Sequence, residues 1–300
     1  MPHDPKSLLG DKLGLLQHLA SISTNYLQNN RSQIISSSHP ELRDLKSPLT
    51  KKWNPNFHRF IRHRLANQKR QKMQPIRNIT NGLTMPDIAS VQLGSAKKMV
   101  AAILFFDLEE FTTITSKLNN EVTLYILNTI IPEMMYIVRN WKGEIEKNTG
   151  DGIMAIFGTE TRNDFLIARD AIEAAMTMRY VMLNDINTKF YEEGLPLFNL
   201  RIGIDMAELL IARIGIKNTN SLTVVGDAAN RASKLQSLAQ SNGICIGENL
   251  FQKMHPQLHQ HCREGKHDEW QWHYNDSKQP YRFFHYEANW PKPEEWIKMK

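Results

Sequence analysis

Cysteine is scarce in this sequence, whose 300 residues include only Cys245 and Cys262. Two thiols form at most one disulfide, which excludes a small secreted scaffold held by several disulfides and is normal in a reducing compartment. Long hydrophobic runs are lacking as well, because the longest, Met99–Phe106, is far shorter than the roughly 18 residues of a membrane span. Met1–Lys12 lacks the apolar core of a signal peptide. We therefore expect a soluble, cytoplasmic protein that makes no membrane contact.

Acidic residues are absent from 51–77, a segment rich in lysine and arginine. The whole chain has a net charge of only +6, which is less than this segment contributes, so the basic character is local. Four apolar residues are interleaved with the basic ones: Phe57, Phe60, Ile61 and Leu65. This pattern predicts an amphipathic helix whose basic face is solvated or meets an acidic partner surface. Direct nucleic-acid binding would rest on charge alone and is not expected.

Composition divides the chain into three parts. Residues 1–95 are expected to form a helical, partly basic N-terminal extension and linker, because Ser7–Leu27 has helical periodicity. Residues 96–255 carry the most regular patterns and are expected to form the main domain. Residues 256–300 form a tail rich in aromatic residues and histidine. Six aromatic residues alternate there in short strand-like runs: Trp270, Trp272, Tyr274, Tyr281, Phe283 and Phe284. They predict a hairpin packed on the core.

The main domain alternates strand and helix patterns. Five strands are predicted, at Met99–Phe106, Glu144–Asn148, Ile153–Phe157, Phe198–Asp205 and Ile244–Ile246. An additional strand is predicted at Leu209–Ile216. Helices are predicted at Asn120–Trp141, Asp164–Lys189 and Asp227–Leu238. This order predicts an α+β fold with a ferredoxin-like β-α-β-β-α-β core, a helical N-terminal extension and a β-rich C-terminal tail.

Two carboxylates stand at the ends of predicted strands. Asp107 follows the first strand, and Asp151 lies in a Gly-Asp-Gly turn between the next two. If the first strand pairs beside that hairpin, the two side chains converge and can bind a pair of hard cations through oxygen. Gly150 and Gly152 would let the backbone approach phosphates. Taken singly, each motif could also be a simple β-turn or a helix cap.

Three motifs, in order and at matching spacing, resemble class III nucleotidyl cyclases. Phe105–Thr112 (FFDLEEFT) is similar to the first metal motif of that family, and Glu146–Gly152 (EKNTGDG) is similar to the second. Thr223–Lys234 (TVVGDAANRASK) is similar to a third family stretch. The resemblance covers about 101–254. It implies a cyclase catalytic domain at 96–255 and conversion of a nucleoside triphosphate to a 3′,5′-cyclic nucleotide and pyrophosphate.

The resemblance also implies two divalent metal ions, Mn²⁺ or Mg²⁺, and a homodimer with composite sites. The implied metal ligands are Asp107, Leu108 and Asp151. The implied nucleotide-binding residues are Phe106, Phe111, Thr112, Lys147, Gly150 and Thr223. The implied catalytic residues are Asn230, Lys234 and Arg231. One subunit would provide the aspartates, and the other would provide Lys147, Thr223, Asn230 and Lys234.

The sequence departs from the family pattern at two positions. Lys234 replaces the usual arginine and cannot make its planar two-pronged contact, although Arg231, about one turn earlier, could substitute. Glu110 replaces a glycine of the phosphate loop, where a carboxylate would repel the triphosphate unless it turns outward or assists a metal. These departures raise the alternative of a catalytically inactive regulatory module. Both metal aspartates remain, which argues against it.

Two residues are expected to recognise the base of the nucleotide. In this family the position of Lys147 reads the base, with Thr223 as its partner. Lysine donates and threonine can accept, which fits adenine and cytosine and leaves ATP and CTP. Short matches at Trp53–Phe57, Gly82–Asp87 and Gln92–Gly94 resemble the pyrimidine cyclases of bacterial Pycsar antiphage systems. That resemblance implies CTP as the substrate and a separate effector activated by the cyclic nucleotide, with UTP and ATP as alternatives.

Overall fold

A single β-sheet forms the centre of the fold. The computed structural model describes residues 52–71, 96–158, 163–216, 219–274 and 279–291. Within these residues the strands are β1 (Ala96–Leu108), β2 (Gly143–Asn148), β3 (Gly152–Phe157), β4 (Leu200–Ile216), β5 (Thr219–Val225), β6 (Gly243–Gly247), β7 (Cys262–Glu264) and β8 (Phe283–Tyr286). Their order across the sheet is β2-β3-β1-β4-β6-β8-β7, and β5 pairs with β4 beside this path. The β4–β6 pair is parallel and the other pairs are antiparallel.

Helices cover both faces of the sheet. In the described part of the chain they are α1 (Pro55–Gln71), α2 (Phe111–Thr115), α3 (Asn120–Asn140), α4 (Asp164–Val181), α5 (Asn187–Glu192), α6 (Asp227–Leu238) and α7 (Glu248–Lys253). A π-helical turn, Met182–Ile186, joins α4 to α5, and a 3₁₀ turn, Pro256–His261, follows α7. The predicted α+β fold with its β-α-β-β-α-β core is confirmed.

The central strand β1 is buried on both faces, which explains its uninterrupted apolar sequence. Ala101 and Ile103 pack in one cluster with Ala228 and Ala232 of α6. Successive side chains of a strand alternate between faces, so the buried Leu104 points to the opposite side, where α4 packs against β1. The sheet is therefore sandwiched between α6 and the α3–α4 layer.

One prediction about the strands was wrong. Phe198–Asp205 and Leu209–Ile216 were expected to be separate strands, but they belong to the single long strand β4. Its pairing with β1 continues without a break from Leu200 opposite Leu108 to Ala212 opposite Ala96. The three residues between the two predicted segments, 206–208, are paired in this ladder, so they form no turn.

The tail extends the sheet. β8 pairs with both β6 and β7, and a second hairpin forms within the β7–β8 connection, where the backbone N–H of Tyr281 donates to the carbonyl of Trp272 at 2.9 Å. The predicted aromatic hairpin packed on the core is confirmed. Inter-residue contacts divide the chain into two units, residues 1–63 with 288–300 and residues 64–287, so β7 and β8 belong to the larger unit.

The predicted basic amphipathic helix is present as α1. Ile61 and Leu65 are buried, whereas Phe60 is more than half exposed. In the smaller unit, Trp53 stacks on Trp290 with ring centroids 5.7 Å apart. The helix predicted at Ser7–Leu27 and the linker that precedes β1 lie outside the described residues.

Helix α3 is the one helix among the described residues whose length and composition would suit a membrane span. It packs against β2, β3 and α4 in this structure. Its Glu133 is buried and accepts a hydrogen bond from Nε of Arg64 at 3.1 Å. A buried, paired carboxylate and these contacts on several sides are typical of a core helix.

Candidate active site

Asp107 lies at the centre of the site, near the end of β1. Its backbone neighbours are Gly152 on β3 and Arg201 on β4. The side chain is 30% exposed, and its Oδ2 lies 3.6 Å from Nη2 of Arg201. Nε2 of Gln236, on α6, donates to the same oxygen at 3.3 Å. Three elements of the fold therefore position this carboxylate.

Helix α6 reaches Asp107 because β4 has no side chain in its path. The backbone of Ala232 and Gln236 lies directly over Gly203, where a Cβ would overlap it. The glycine allows the helix to sit close against the strand. As a result Gln236 lies above the β1–β4 pair at the level of Asp107.

The turn between β2 and β3 holds Asp151. The side chain of Asn148 accepts a hydrogen bond from the backbone N–H of Gly150 at 2.8 Å, and Thr149 N–H donates to the carbonyl of Gly152 at 3.0 Å. Gly150 has φ +102°, a conformation that strongly favours glycine. The turn is thereby closed tightly beside the end of β1, where the charge of Asp151 acts on Asp107.

The pKa of Asp107 depends on its neighbours and on burial. Burial raises the pKa of Asp107, and the nearby charge of Asp151 raises it further, while Arg201 and Gln236 act in the opposite direction. A raised pKa means that the charged form of the carboxylate is less favourable in the folded protein than in water. An added positive charge at this position would relieve that cost.

The donor set fits hard divalent cations. Among the described residues, no group of three or more His, Cys, Asp or Glu side chains lies close enough together to bind a metal ion. Mg²⁺ is usually held by one or two protein carboxylates, with water and substrate phosphates completing its coordination. Two converging, partly exposed carboxylates match that pattern better than they match a closed structural zinc site.

The loop after β1 contains the other residues expected near the phosphates. Glu110 has φ 54° and ψ 24°, the left-handed conformation in which glycine is favoured. It directly precedes α2, where Phe111 is partly buried and Thr112 is exposed. Phe106 and Leu108 are buried, so their side chains are not accessible to a ligand.

Lys147 and Thr223 lie on strands that Glu146 connects. The ladder between β2 and β3 shifts register between Ile145 and Lys147, which marks a bulge at Glu146. The Glu146 carboxylate is buried and accepts a hydrogen bond from the backbone of Val224, next to Thr223. Burial raises the pKa of Glu146. The Lys147 side chain is 50% exposed, and its Nζ lies 3.7 Å from a Glu146 carboxylate oxygen.

Helix α6 carries the three expected catalytic residues, and they point in different directions. Asn230 is exposed. Lys234 is partly exposed, and its Nζ lies 2.7 Å from Oε2 of Glu269. Arg231 is buried and pairs with Asp205. The expectation that Arg231 takes the place of the missing arginine is therefore contradicted, because its guanidinium is already engaged in the core.

Sequence reasoning missed Arg201 and Gln236, the two residues that contact Asp107. Arg201 is a charged residue between the buried Leu200 and Ile202, and this interruption of an apolar strand was a usable signal. Its partner could not be identified without the β1–β4 register. Gln236 had no sequence signal that we can name.

Comparisons with known proteins agree with this geometry. The sequence model of the adenylate and guanylate cyclase catalytic domain matches residues 94–268. A cytidylate cyclase of Staphylococcus aureus is 30% identical over 172 residues, which are 56% of this chain and 40% of that protein. A uridylate cyclase of Burkholderia cepacia is 30% identical over 163 residues, which are 53% of this chain and 69% of that protein. This chain thus spans less than half the length of the first relative.

Among solved structures, the adenylyl cyclase CyaB from P. aeruginosa has a similar fold. The TM-score is 0.57 at 22% identity, and the match covers 65% of this chain and 97% of that one. The family match covers more than half of the sequence and includes both aspartates, the Lys147 strand and α6. The chain therefore belongs to the class III nucleotidyl cyclases, the family of the adenylate and guanylate cyclase catalytic domain.

Proposed function

We propose that the protein converts CTP to 3′,5′-cyclic CMP and pyrophosphate. The observation that carries this proposal is the convergence of Asp107 and Asp151 at one end of the β1–β3 pair. A partly buried carboxylate whose charge is opposed by a second nearby carboxylate suits a cation-dependent reaction of a triphosphate. The curated relatives named as cytidylate cyclases supply the preference for CTP.

Asp107, Asp151 and the backbone of Leu108 would hold two divalent cations, Mn²⁺ or Mg²⁺. Bound there, such cations lower the pKa of the ribose 3′-hydroxyl and neutralise charge on the phosphates. In the reaction the 3′-oxygen attacks the α-phosphorus, the bond to the bridging β-phosphate oxygen breaks, and pyrophosphate leaves. The hydroxyl proton passes to solvent.

The remaining residues bind and orient the substrate. Asn230 would hold the ribose, and Lys234 would face the charge that grows on the α-phosphate. Lys234 must leave Glu269 to do so, and this exposed ion pair is weak enough to exchange because solvent screens the two charges. Phe111, Thr112 and Gly150 would contact the nucleotide beside the aspartates.

A homodimer with composite sites is part of the proposal. One subunit would provide Asp107 and Asp151, and its partner would provide Lys147, Thr223, Asn230 and Lys234. The exposure of Asn230 and Lys147 supports this arrangement, because both remain accessible to a second chain. A monomer would then be inactive.

The base preference follows from Lys147 and Thr223. Lysine would donate to the ring nitrogen of cytosine, and threonine would accept from its exocyclic amine. UTP is the second candidate, because a uridylate cyclase is as similar in sequence as the cytidylate cyclase and is matched over more of its length. ATP presents the same donor and acceptor pattern as CTP and is a further alternative.

The biological setting is proposed from the resemblance to the pyrimidine cyclases of Pycsar antiphage systems. The cyclic pyrimidine nucleotide would act in the cytoplasm as a second messenger in antiphage defence and would activate a separate effector protein. The short matches at Trp53–Phe57 and Gly82–Asp87 support this setting. Neither a membrane nor a nucleic acid is required.

Separate incubations with each of the four ribonucleoside triphosphates and Mn²⁺, followed by mass analysis, test the proposal. We expect a cyclic monophosphate and an equal amount of pyrophosphate, with the highest rate from CTP. An Asp151→Asn variant serves as the control for contaminating activity. Linear monophosphate or diphosphate as the sole product would indicate hydrolysis and would contradict the proposed reaction.

A further inference from the structure

A buried polar network lies behind the exposed face of α6. Asp205, on β4, is fully buried and accepts hydrogen bonds from Nε of Arg231 and, at 2.7 Å, from the hydroxyl of Tyr281. The backbone N–H of Asn249 donates to the same hydroxyl at 2.8 Å. Gly247 lies so close to Asp205 that a side chain there would overlap the carboxylate. The network is therefore enclosed on all of these sides.

The network fixes the rotation of α6 about its axis. Arg231 is anchored in the core, with its guanidinium 4.4 Å from the centre of the Tyr281 ring. Asn230 is its immediate neighbour in sequence, and Lys234 is one helical turn further along. Because these contacts hold Arg231 in the core, Asn230 and Lys234 are held toward the solvent-exposed side of the helix.

The β7–β8 connection contacts α6 at two points. Tyr281 holds the buried side through Asp205 and Arg231, and Glu269 meets Lys234 on the exposed side. Within the connection, Nε1 of Trp270 donates to the carbonyl of Tyr281 at 2.5 Å. The two contact points are thus linked to each other.

We infer that Tyr281, Asp205 and Arg231 are positioning residues that set Asn230 and Lys234 for the reaction. This inference rests on the proposed function. An apolar trio of similar size would pack at least as well, since buried ion pairs add little net stability. Directional hydrogen bonds do what an apolar contact cannot, which is to fix the angle of the helix. The Tyr281 hydroxyl is the smallest part of the network that can be removed.

The test compares Tyr281→Phe with Tyr274→Phe as a matched control. Tyr274 lies in the same connection, with its ring 5.1 Å from that of Tyr281, and its hydroxyl contacts Glu248. We expect Tyr281→Phe to lower kcat about 10-fold to 100-fold, because small displacements of catalytic groups are costly, while KM changes less than about 3-fold. Tyr274→Phe should leave kcat within about 2-fold of wild type. Equal kcat losses in the two variants would overturn the inference.

Mixed dimers show which half of the composite site Tyr281 serves. Mixing Asp107→Ala with Asn230→Ala chains is the reference and should restore activity, because each mixed dimer contains one intact site. Tyr281→Phe mixed with Asp107→Ala should also restore activity, since the intact α6 comes from the Asp107→Ala chain. Tyr281→Phe mixed with Asn230→Ala should not. If Tyr281→Phe merely weakened the fold of its own chain, that chain would restore activity in neither mixture.

The outcomes separate two failures. If the reference mixture stays inactive although the chains associate, the composite site is wrong and the inference is wrong with it. If the reference works but Tyr281→Phe rescues only the Asn230→Ala chain, the network serves the aspartate half and our assignment is overturned. Asp205→Asn, which keeps the shape of the side chain without its charge, should reproduce the rescue pattern of Tyr281→Phe.

Discussion

Gly152 and Asp107 face each other across the β1–β3 ladder, and no side chain fits between them. A Cβ at position 152 would lie 3.2 Å from Oδ1 of Asp107 and only 2.5 Å from the carbonyl oxygen of Phe106. It would also lie 2.9 Å from the hydroxyl oxygen of Thr149. The position of the carboxylate therefore depends on the absence of a side chain on its cross-strand partner.

Gly152→Ala should displace the turn and the Asp107 carboxylate together. We expect kcat/KM to fall at least about 10-fold and the free energy of unfolding to fall by about 1 to 3 kcal/mol, as for overpacking elsewhere. Gly194→Ala is the control, because Gly194 has φ +67° and a Cβ added there would meet nothing within 4 Å. It should lose about 1 kcal/mol of stability and keep its activity. Normal activity in Gly152→Ala would contradict the role of this close contact.

Asp107→Asn should separate activity from stability. The pKa of Asp107 is raised by burial and by Asp151, so its charge opposes folding and an uncharged isostere should not lower Tm in the absence of metal. We expect cyclisation to fall at least about 100-fold. Thermal melting with and without MnCl₂ provides the second readout, since the variant should lose the stabilisation by Mn²⁺. More than about a tenth of wild-type activity would contradict the assignment as a metal ligand.

Glu110→Gly should improve both stability and substrate binding. Glu110 has a left-handed backbone, which costs a non-glycine residue about 1 to 2 kcal/mol, partly offset by the entropy of an added glycine. We expect a net gain of up to about 1 kcal/mol. Lys142→Gly, at φ 61° and outside the site, should show the same gain in a denaturation curve. Only Glu110→Gly should also lower KM for the triphosphate, because it removes a negative charge. An unchanged KM would show that the carboxylate points away from the phosphates.

Local patterns were sufficient to predict the strands that carry the aspartates. The apolar run of β1 and the Gly-Asp-Gly turn are both short-range features. Long-range pairing was not accessible: the length of β4 became clear only from its ladder with β1. The face of α6 was also misjudged at Arg231, because its partner Asp205 lies 26 residues earlier. Helical spacing groups residues into faces but does not reveal which polar face is buried.

Lys147→Glu should change the choice of base. The substitution exchanges a donor for an acceptor, so cytosine and adenine would lose a hydrogen bond and face a repulsive lone pair. We expect kcat/KM for CTP and ATP to fall about 30-fold to 1,000-fold, which corresponds to about 2 to 4 kcal/mol. UTP and GTP carry a ring N–H and should be affected much less. An equal loss for all four triphosphates would mean that Lys147 supports the fold or the phosphates instead of the base.

Competition among substrates in one reaction tests the central claim most directly. Wild-type protein is incubated with Mn²⁺ and an equimolar mixture of ATP, CTP, GTP and UTP, and the cyclic products are quantified by mass. Their initial ratio reports the ratio of kcat/KM values under identical conditions. We expect cyclic CMP to be the most abundant product and Asp107→Asn to form none. Absence of all four cyclic nucleotides from well-folded dimer would contradict the cyclase assignment, and cyclic UMP alone would contradict the base-reading roles of Lys147 and Thr223.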